Sequence, residues 1–215
     1  MSLERRAALL ALCAERQIPL LEDDPYGELR FEGEDLPPLV SYSSAAPILY
    51  SGTGSKIMSP GMRVAWLVVP NEEIREKIVL AKQGSDLHSG TFAQYVFHEY
   101  VSNEAEFAGH VATIVQTYRR RRDVMAGALS AFASTGLHFV PPHGGMFLWV
   151  TVPGRDTAEL LAICAEQKVV FVPGVSFYPN RDVHDGMRLN FSNASEEKIH
   201  AGIERLGHAI GTSKR

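Results

Sequence analysis

Apolar and polar residues along the chain follow helical and strand-like spacings in turn, which predicts a mixed α/β protein. Apolar residues recur at the spacing of one helix face over 3–16, and the apolar run 18–21 that follows ends in three acidic residues. A helix followed by a short buried strand is typical of the second half of a β-α-β unit. Two further strands are predicted at 48–50 and 64–69, with a loop rich in Gly, Pro and Ser before the first of them.

The remainder of the chain is predicted to be helical first and mixed afterwards. Asn71 is placed to cap a helix over 72–82, and a long helical pattern over 91–132 is interrupted near Ser102 and Asn103. Beyond residue 132 the pattern predicts strands at 139–140, 146–152, 169–172 and 187–191, a capped helix opening at Asp156, and a final helix over 195–210.

Composition and charge narrow the class of protein. Apolar residues make up 45% of the 215 residues and charged residues 21%, which is enough to bury a sizeable core. The net charge of -4 gives no electrostatic reason to expect nucleic acid or an anionic membrane as a partner. No apolar stretch approaches 18 residues and no signal-peptide layout opens the chain, so we expect a cytoplasmic protein.

Cysteine and histidine usage predicts neither a disulfide nor a metal site. Cys13 and Cys164 lie far apart within helical patterns and are expected to be reduced core thiols. The eight histidines show no spacing typical of metal ligands, so no metal is expected. Four consecutive arginines at 119–122 point to every side of a helix, and we expect them on solvated faces with local ion pairs rather than in a nucleic-acid patch.

The loop that follows the strand at 48–50 carries the most informative chemistry. Lys56 is flanked by small hydroxyl residues and is followed seven positions later by Arg63. A lysine on such a loop can form a Schiff base with an aldehyde, and an arginine beside hydroxyl groups can bind a phosphate. Binding of pyridoxal phosphate requires both of these functions, a Schiff-base lysine and a phosphate site.

A second chemical site is predicted where the strand before it ends. Asp23 and Tyr26 follow the run 18–21, and ligands of open α/β sheets gather beyond the carboxyl ends of the strands. A carboxylate facing a pyridine nitrogen keeps it protonated, and a phenol three residues later can reach the ring hydroxyl. By themselves, residues 22–27 are also consistent with an acidic turn without function.

Together these segments resemble the fold type I pyridoxal-phosphate aminotransferases of class I/II, in the branch of the 2-aminoadipate and kynurenine enzymes. The likeness extends over residues 5–206. Five segments carry it in family order: Glu22 to Phe31, Ser51 to Arg63, Pro142 to Trp149, Val172 to Tyr178, and Arg188 to Ser192.

The resemblance implies a role for each matching residue. Lys56 would form the internal aldimine and shuttle a proton between the substrate Cα and the cofactor C4′. Asp23 would pair with the pyridinium nitrogen and Tyr26 with the ring oxygen. The substrates implied are an amino acid and a 2-oxo acid.

Two anionic groups would be held by arginines and hydroxyl groups. Thr53, Ser55 and Arg63 would bind the phosphate, and Arg188 would take the substrate α-carboxylate in a bidentate pair. Without the resemblance, a surface charge on a strand edge is the favoured interpretation of Arg188. Thr53 stands where the family often has serine, and Gly54 stands where an aromatic residue is frequent.

The resemblance also implies the domain organisation. Members of the family are about twice this length, so the chain is expected to be a fragment without the N-terminal half, whose activity alone is in doubt. Residues 1–85 should form the C-terminal part of an α/β large domain with a mainly parallel sheet, and 86–132 a helical connection. Residues 133–215 should form a small α+β C-terminal domain. The family implies a homodimer with its active sites at the subunit interface.

Two other functions stay open. An aminotransferase-like effector domain of a winged-helix transcriptional regulator fits the same segments, with the cofactor as a sensed ligand. A lyase or decarboxylase on the same scaffold would use the same cofactor residues.

Overall fold

The computed structural model describes residues 1–42 and 45–212, with helices and strands in mixed order as the pattern predicts. The chain divides into two compact units, Met1–Ala112 and Thr113–Arg215. The first holds α1 (Leu3–Arg16), β1 (Leu20–Asp23), β2 (Ile48–Thr53), β3 (Ala65–Val68), α2 (Glu72–Ser85) and α3 (Thr91–Ser102). The boundary falls within α4 (Glu104–Ser130). The second holds β4 (His138–Phe139), β5 (Phe147–Thr151), α5 (Thr157–Glu166), β6 (Val172–Pro173), β7 (Gly186–Asn190) and α6 (Glu196–Thr212).

Helix starts lie where the capping residues predict them. Asn71 accepts a hydrogen bond from the N–H of Ile74 and begins α2, and Asp156 accepts from the N–H groups of Ala158 and Glu159 and begins α5. Both caps supply acceptors to N–H groups that have no partner within the helix. The predicted interruption of the long helical segment is also confirmed, at Asn103 between α3 and α4.

The first unit is built on a three-stranded sheet in the order β1-β2-β3. β1 runs parallel to β2, with Asp23 opposite Ser51, whereas β3 is antiparallel to β2. Leu10 of α1 packs with Leu39 and Ile48 in a small buried cluster behind this sheet. The parallel pair is the part that positions the site, because both strands end at the same edge.

The second unit is an antiparallel sheet in the order β4-β5-β7-β6 with α5 packed against α6. Alternate residues of β5 and β7 point into its core, where Leu148, Val150 and Met187 have no exposed surface. Leu206 of α6 is buried with them. This α+β arrangement agrees with the class expected for the end of the chain.

One strand prediction is largely wrong. The apolar run 169–172 forms a strand only from Val172, and Val170 is 78% exposed. The N–H of Val169 donates to the carbonyl of Cys164, and Lys168 has a left-handed φ of 61°. These residues therefore close the C-terminus of α5, and a helix C-cap takes the backbone donor that a ladder would have needed.

The prediction for the arginine run is also wrong in part. Arg122 is 4% exposed and donates to the carbonyl of Pro142 at 2.6 Å and to the Asp123 carboxylate. Arg121 donates to the carbonyl of Ser192. Two of the four guanidinium groups thus fasten α4 to loops of the second unit, since buried carbonyls need donors.

The cysteine prediction is confirmed. Cys13 and Cys164 are free and buried, and burial raises the pKa of the Cys164 thiol. Within residues 1–42 and 45–212, no group of three or more His, Cys, Asp or Glu side chains is arranged to hold a metal ion. None of the helices in that part of the chain has the length and apolarity needed to span a membrane.

Candidate active site

The carboxyl ends of β1 and β2 bring the two predicted chemical sites together. Asp23 is the last residue of β1, and Lys56 follows three residues after β2 ends at Thr53. The hydroxyl of Ser51 donates to the Asp23 carboxylate at 3.2 Å, and the N–H of Asp24 donates to the Ser51 carbonyl at 2.9 Å. Because the strands are parallel and adjacent, the acidic turn and the Lys56 loop leave the sheet at one edge.

The loop that carries Lys56 is a hydrogen-bonded turn. The Thr53 hydroxyl lies 3.1 Å from the Ser55 hydroxyl, accepts from the Ser55 N–H at 3.2 Å, and donates to the Val64 carbonyl at 3.1 Å. Thr53, Ser55 and Lys56 are all half-buried. The two predicted phosphate-binding hydroxyls are therefore neighbours, held in place by the backbone of the following segment.

Arg63 closes the same loop in an uncommon backbone conformation. Its φ of 54° lies in the left-handed region, and its guanidinium is exposed, with one contact of 3.4 Å to the Pro60 carbonyl. A non-glycine residue in this region costs about 1 kcal/mol or more. The conformation ends the helical turn at Pro60–Met62 and redirects the chain into β3.

The acidic turn after β1 is tied to β2 by a tyrosine that the sequence pattern did not single out. The Tyr50 hydroxyl donates to the Asp24 carboxylate at 3.3 Å. Burial, and then the neighbouring Asp24 charge, raise the pKa of Tyr50 to about 12. A Cβ on Gly27 would overlap the Asp24 carboxylate, so a larger residue there would require this carboxylate to shift. Tyr26 lies half-buried inside this turn, and its carbonyl accepts from the N–H of Leu29.

Two residues of α3 and α4 also support the Lys56 loop. The Nε2 of His110 donates to the Ile57 carbonyl at 2.8 Å, since a carbonyl can only accept. A Cβ on Gly54 would overlap the ring of Phe97, so an aromatic ring from α3 fills the space beside this glycine. No local signal in the sequence identifies these contacts, because both partners are far along the chain.

In the second unit, the Arg188 guanidinium packs against two aromatic rings. Its guanidinium carbon is 4.1 Å from the ring centre of Phe147 and 4.9 Å from that of Phe177. Its Nε is buried and has no hydrogen-bond partner within the part of the chain that the structure describes. Trp149, opposite Arg188 on β5, packs edge-on against Phe177. The two rings thus hold the planar, positively charged guanidinium in place, and its Nε is available as a hydrogen-bond donor.

The donor set fits the group that the resemblance implies. The hydroxyls of Thr53 and Ser55 suit a phosphate dianion, and the exposed Arg63 adds a permanent positive charge on the same loop. The exposed carboxylate of Asp23 suits a protonated pyridine nitrogen, and the amine of Lys56 suits an aldehyde. The orphaned Nε of Arg188 suits a carboxylate.

Comparison with known families gives one match across nearly the whole chain. The profile of the family described as "Aminotransferase class I and II" matches residues 1–206. Aromatic-amino-acid aminotransferase 1 of Thermococcus litoralis is 40% identical over 98% of this chain and 50% of its own length. The 2-aminoadipate transaminase of Thermus thermophilus is 35% identical over 97% of this chain and 53% of its own length.

A solved structure matches equally well. The kynurenine aminotransferase of Pyrococcus horikoshii, crystallised with PMP, has a TM-score of 0.93 and 40% identity over 98% of this chain and 52% of its own. An uncharacterized HTH-type transcriptional regulator of Bacillus subtilis is 32% identical over 95% of this chain and 42% of its own length. The chain spans about half the length of the curated aminotransferases it matches.

Proposed function

Because the chain belongs to the aminotransferase class I and II family, whose cofactor is pyridoxal phosphate, we propose that the complete gene product is an aminotransferase. It moves an amino group between an amino acid and a 2-oxo acid. The observation that carries the proposal is that Asp23 and the Lys56 loop lie at the neighbouring carboxyl ends of the parallel strands β1 and β2. An acidic turn without function would give no reason for a lysine-bearing loop at the neighbouring strand end.

The residues of the first unit hold the cofactor. Thr53, Ser55 and Arg63 bind its phosphate, with the arginine contributing a charge-assisted bond. Asp23 keeps the pyridine nitrogen protonated, and Tyr26 donates to the ring oxygen. When bound, pyridoxal phosphate supplies an electron sink for the electron pair left at the substrate Cα.

Lys56 moves the proton. Its amine would accept the proton that leaves Cα of the amino acid, while the bound cofactor would take up the amino group. The hydrogen bonds at Gly54 and Ile57 on either side of Lys56 hold its backbone in one conformation. A fixed base has less conformational entropy to lose in the transition state.

Arg188 binds the substrate α-carboxylate. Its two aromatic neighbours orient the guanidinium plane, and the buried Nε without a partner provides a donor that a carboxylate oxygen satisfies. Planar bidentate pairing distinguishes an amino acid from a simple amine. The choice among amino acid side chains depends on groups beyond this anchor.

The direct test is a Lys56→Ala variant of the complete gene product. Wild-type protein should show the visible absorption band of bound pyridoxal phosphate and should yield a borohydride-stable adduct on the peptide that contains Lys56. The variant should show neither, whereas Lys77→Ala, which removes an exposed lysine of α2, should keep both. An adduct of the same yield in Lys56→Ala, or no transamination by the wild type with any amino acid, contradicts the assignment.

The active protein is proposed to be a cytoplasmic homodimer. In support, α3 exposes Phe92 at 82% and Tyr95 at 74%, beside an open groove of about 610 Å³. Apolar surface of this kind is typical of an interface. Light scattering should give twice the subunit mass, and Phe92→Glu should shift the population toward monomer. An unchanged dimer in that variant would place the interface elsewhere.

One alternative function is supported by the similarity to the Bacillus subtilis regulator. In that case the cofactor site acts as a sensor, and the gene product binds DNA. Electrophoretic mobility shift with the DNA upstream of the gene, with and without pyridoxal phosphate, separates the two. Specific, cofactor-dependent DNA binding without transamination favours the regulator, and transamination without specific DNA binding favours the enzyme.

A further inference from the structure

Two buried glycines of the first unit lie directly against two aromatic rings. Gly52, in β2, leaves no room for a Cβ because the indole of Trp66 occupies that space, and at Gly54 the ring of Phe97 does the same. The two rings contact each other, with centres 5.9 Å apart and planes tilted by 34°. Together they form an aromatic shelf, Trp66 and Phe97, against the start of the Lys56 turn.

Gly54 is required by this contact rather than by its backbone. Its φ lies outside the left-handed region, so an alanine could adopt the same backbone conformation. Gly145 shows the opposite situation, with a φ of 83° and no atom within 4 Å of the place that a Cβ would occupy. At position 54, therefore, the collision with Phe97 is the main cost of adding a side chain.

The same glycine anchors the turn that presents Lys56. Its N–H donates to the Val64 carbonyl at 3.1 Å, and its carbonyl accepts from the N–H groups of Met58 at 2.9 Å and Ser59 at 3.2 Å. Gly54 thus takes part in the hydrogen bonds at both ends of the turn. A displacement of Gly54 displaces the Lys56 backbone with it.

We propose that Phe97 is a positioning residue for Lys56: its ring, backed by Trp66, presses on Gly54 and fixes the turn from which the lysine projects. This rests on the proposed function, since it assigns a support to the lysine of that site. Phe97 itself touches neither substrate nor cofactor in this assignment. It acts through the backbone, and it comes from α3 rather than from the loop.

The test is a double-variant cycle in the complete gene product, using Gly54→Ala, Phe97→Ala and the two combined. Gly84→Ala is the matched control, because that glycine of α2 has no neighbour within 4 Å. The first measurement is the rate at which added pyridoxal phosphate is trapped on Lys56 by borohydride, read by mass spectrometry of the peptide. The second is the apparent cofactor affinity from spectral titration.

We expect Gly54→Ala to lower cofactor affinity about tenfold or more, as overpacking of a rigid site typically does. Phe97→Ala should slow trapping on Lys56 severalfold. The combined variant should lose less than the product of the two single losses, because the colliding ring is gone. Gly84→Ala should match wild type in both measurements.

Four results overturn the proposal. Wild-type behaviour of Gly54→Ala would show that the ring moves aside freely, and multiplicative losses in the combined variant would show that the two positions act separately. If Gly54→Ala does not accumulate as folded protein, recovery of folded combined variant supports the coupling, and no recovery overturns it. Failure of the wild type to trap cofactor on Lys56 removes the proposed function as well, whereas normal wild-type trapping with uncoupled variants removes only the role of Phe97.

Discussion

Replacing Glu22 should reveal how strongly the end of β1 is held before any cofactor binds. One oxygen of Glu22 accepts from Arg6 at 3.2 Å, and the other accepts from the N–H of Leu39 at 2.6 Å. The side chains of Arg6 and Glu22 are only 14% and 13% exposed. Arg6 also donates to the Pro37 carbonyl at 2.9 Å. The carboxylate thus joins α1, β1 and the loop before β2 immediately beside Asp23.

The magnitude follows from what each substitution leaves behind. Glu22→Ala removes the carboxylate that accepts from a mostly buried guanidinium and from a backbone N–H. Hydrogen bonds to charged groups contribute about 1.5–3 kcal/mol each. Slight exposure of both partners reduces this, so we expect a loss of about 2–4 kcal/mol in the free energy of unfolding. Glu22→Gln keeps an acceptor for Leu39 and should cost about 1–2 kcal/mol.

Urea denaturation followed by circular dichroism measures these changes, with Glu73→Gln as the control. Glu73 pairs with Lys77 at 2.6 Å, a shorter distance, but the two side chains are 76% and 71% exposed. Its loss should leave the midpoint unchanged, since burial rather than distance decides the effect. Replacing both Arg6 and Glu22 by Met should cost less than Glu22→Ala. Equal midpoints for Glu22→Ala and Glu73→Gln would refute the reasoning.

Two further predictions concern Arg188 and Tyr50. Arg188→Ala should lower kcat/KM for amino acids about a hundredfold or more, with a smaller loss for amines that lack a carboxylate; equal losses would show that it does not bind the carboxylate. Because the pKa of Tyr50 is raised to about 12, its contribution to stability is fully present below about pH 10. That contribution is lost as pH rises toward 12, since the unfolded chain ionises first. An ultraviolet titration should show a tyrosine that ionises well above pH 10, and this signal should be absent in Tyr50→Phe. In Asp24→Asn the signal should move to lower pH, but only in part, because burial alone also raises the pKa. An unchanged titration curve in Tyr50→Phe would contradict this.

Local chemistry explains which predictions from sequence succeed. Asn71 and Asp156 cap helices through bonds to residues two or three positions away, so a short window contains both partners. Asp23 and Lys56 could be placed at strand ends because apolar runs reveal the strands. The run at 169–172 misled for the same reason: its composition suits a strand, but the carbonyls at the end of α5 take its backbone donor.

The sequence by itself determined the order of most elements and the family to which the chain belongs, and it predicted the residues that would bind a phosphate, a pyridine nitrogen and a carboxylate. These properties reside in residue type and in spacing along a few turns or strands. Only the tertiary structure decided how the lysine loop is supported. Gly54 meets the ring of Phe97, and Ile57 meets His110, across long stretches of chain. The positions of such partners follow from how the helices pack against the sheet, and a pattern read along the chain does not contain that information.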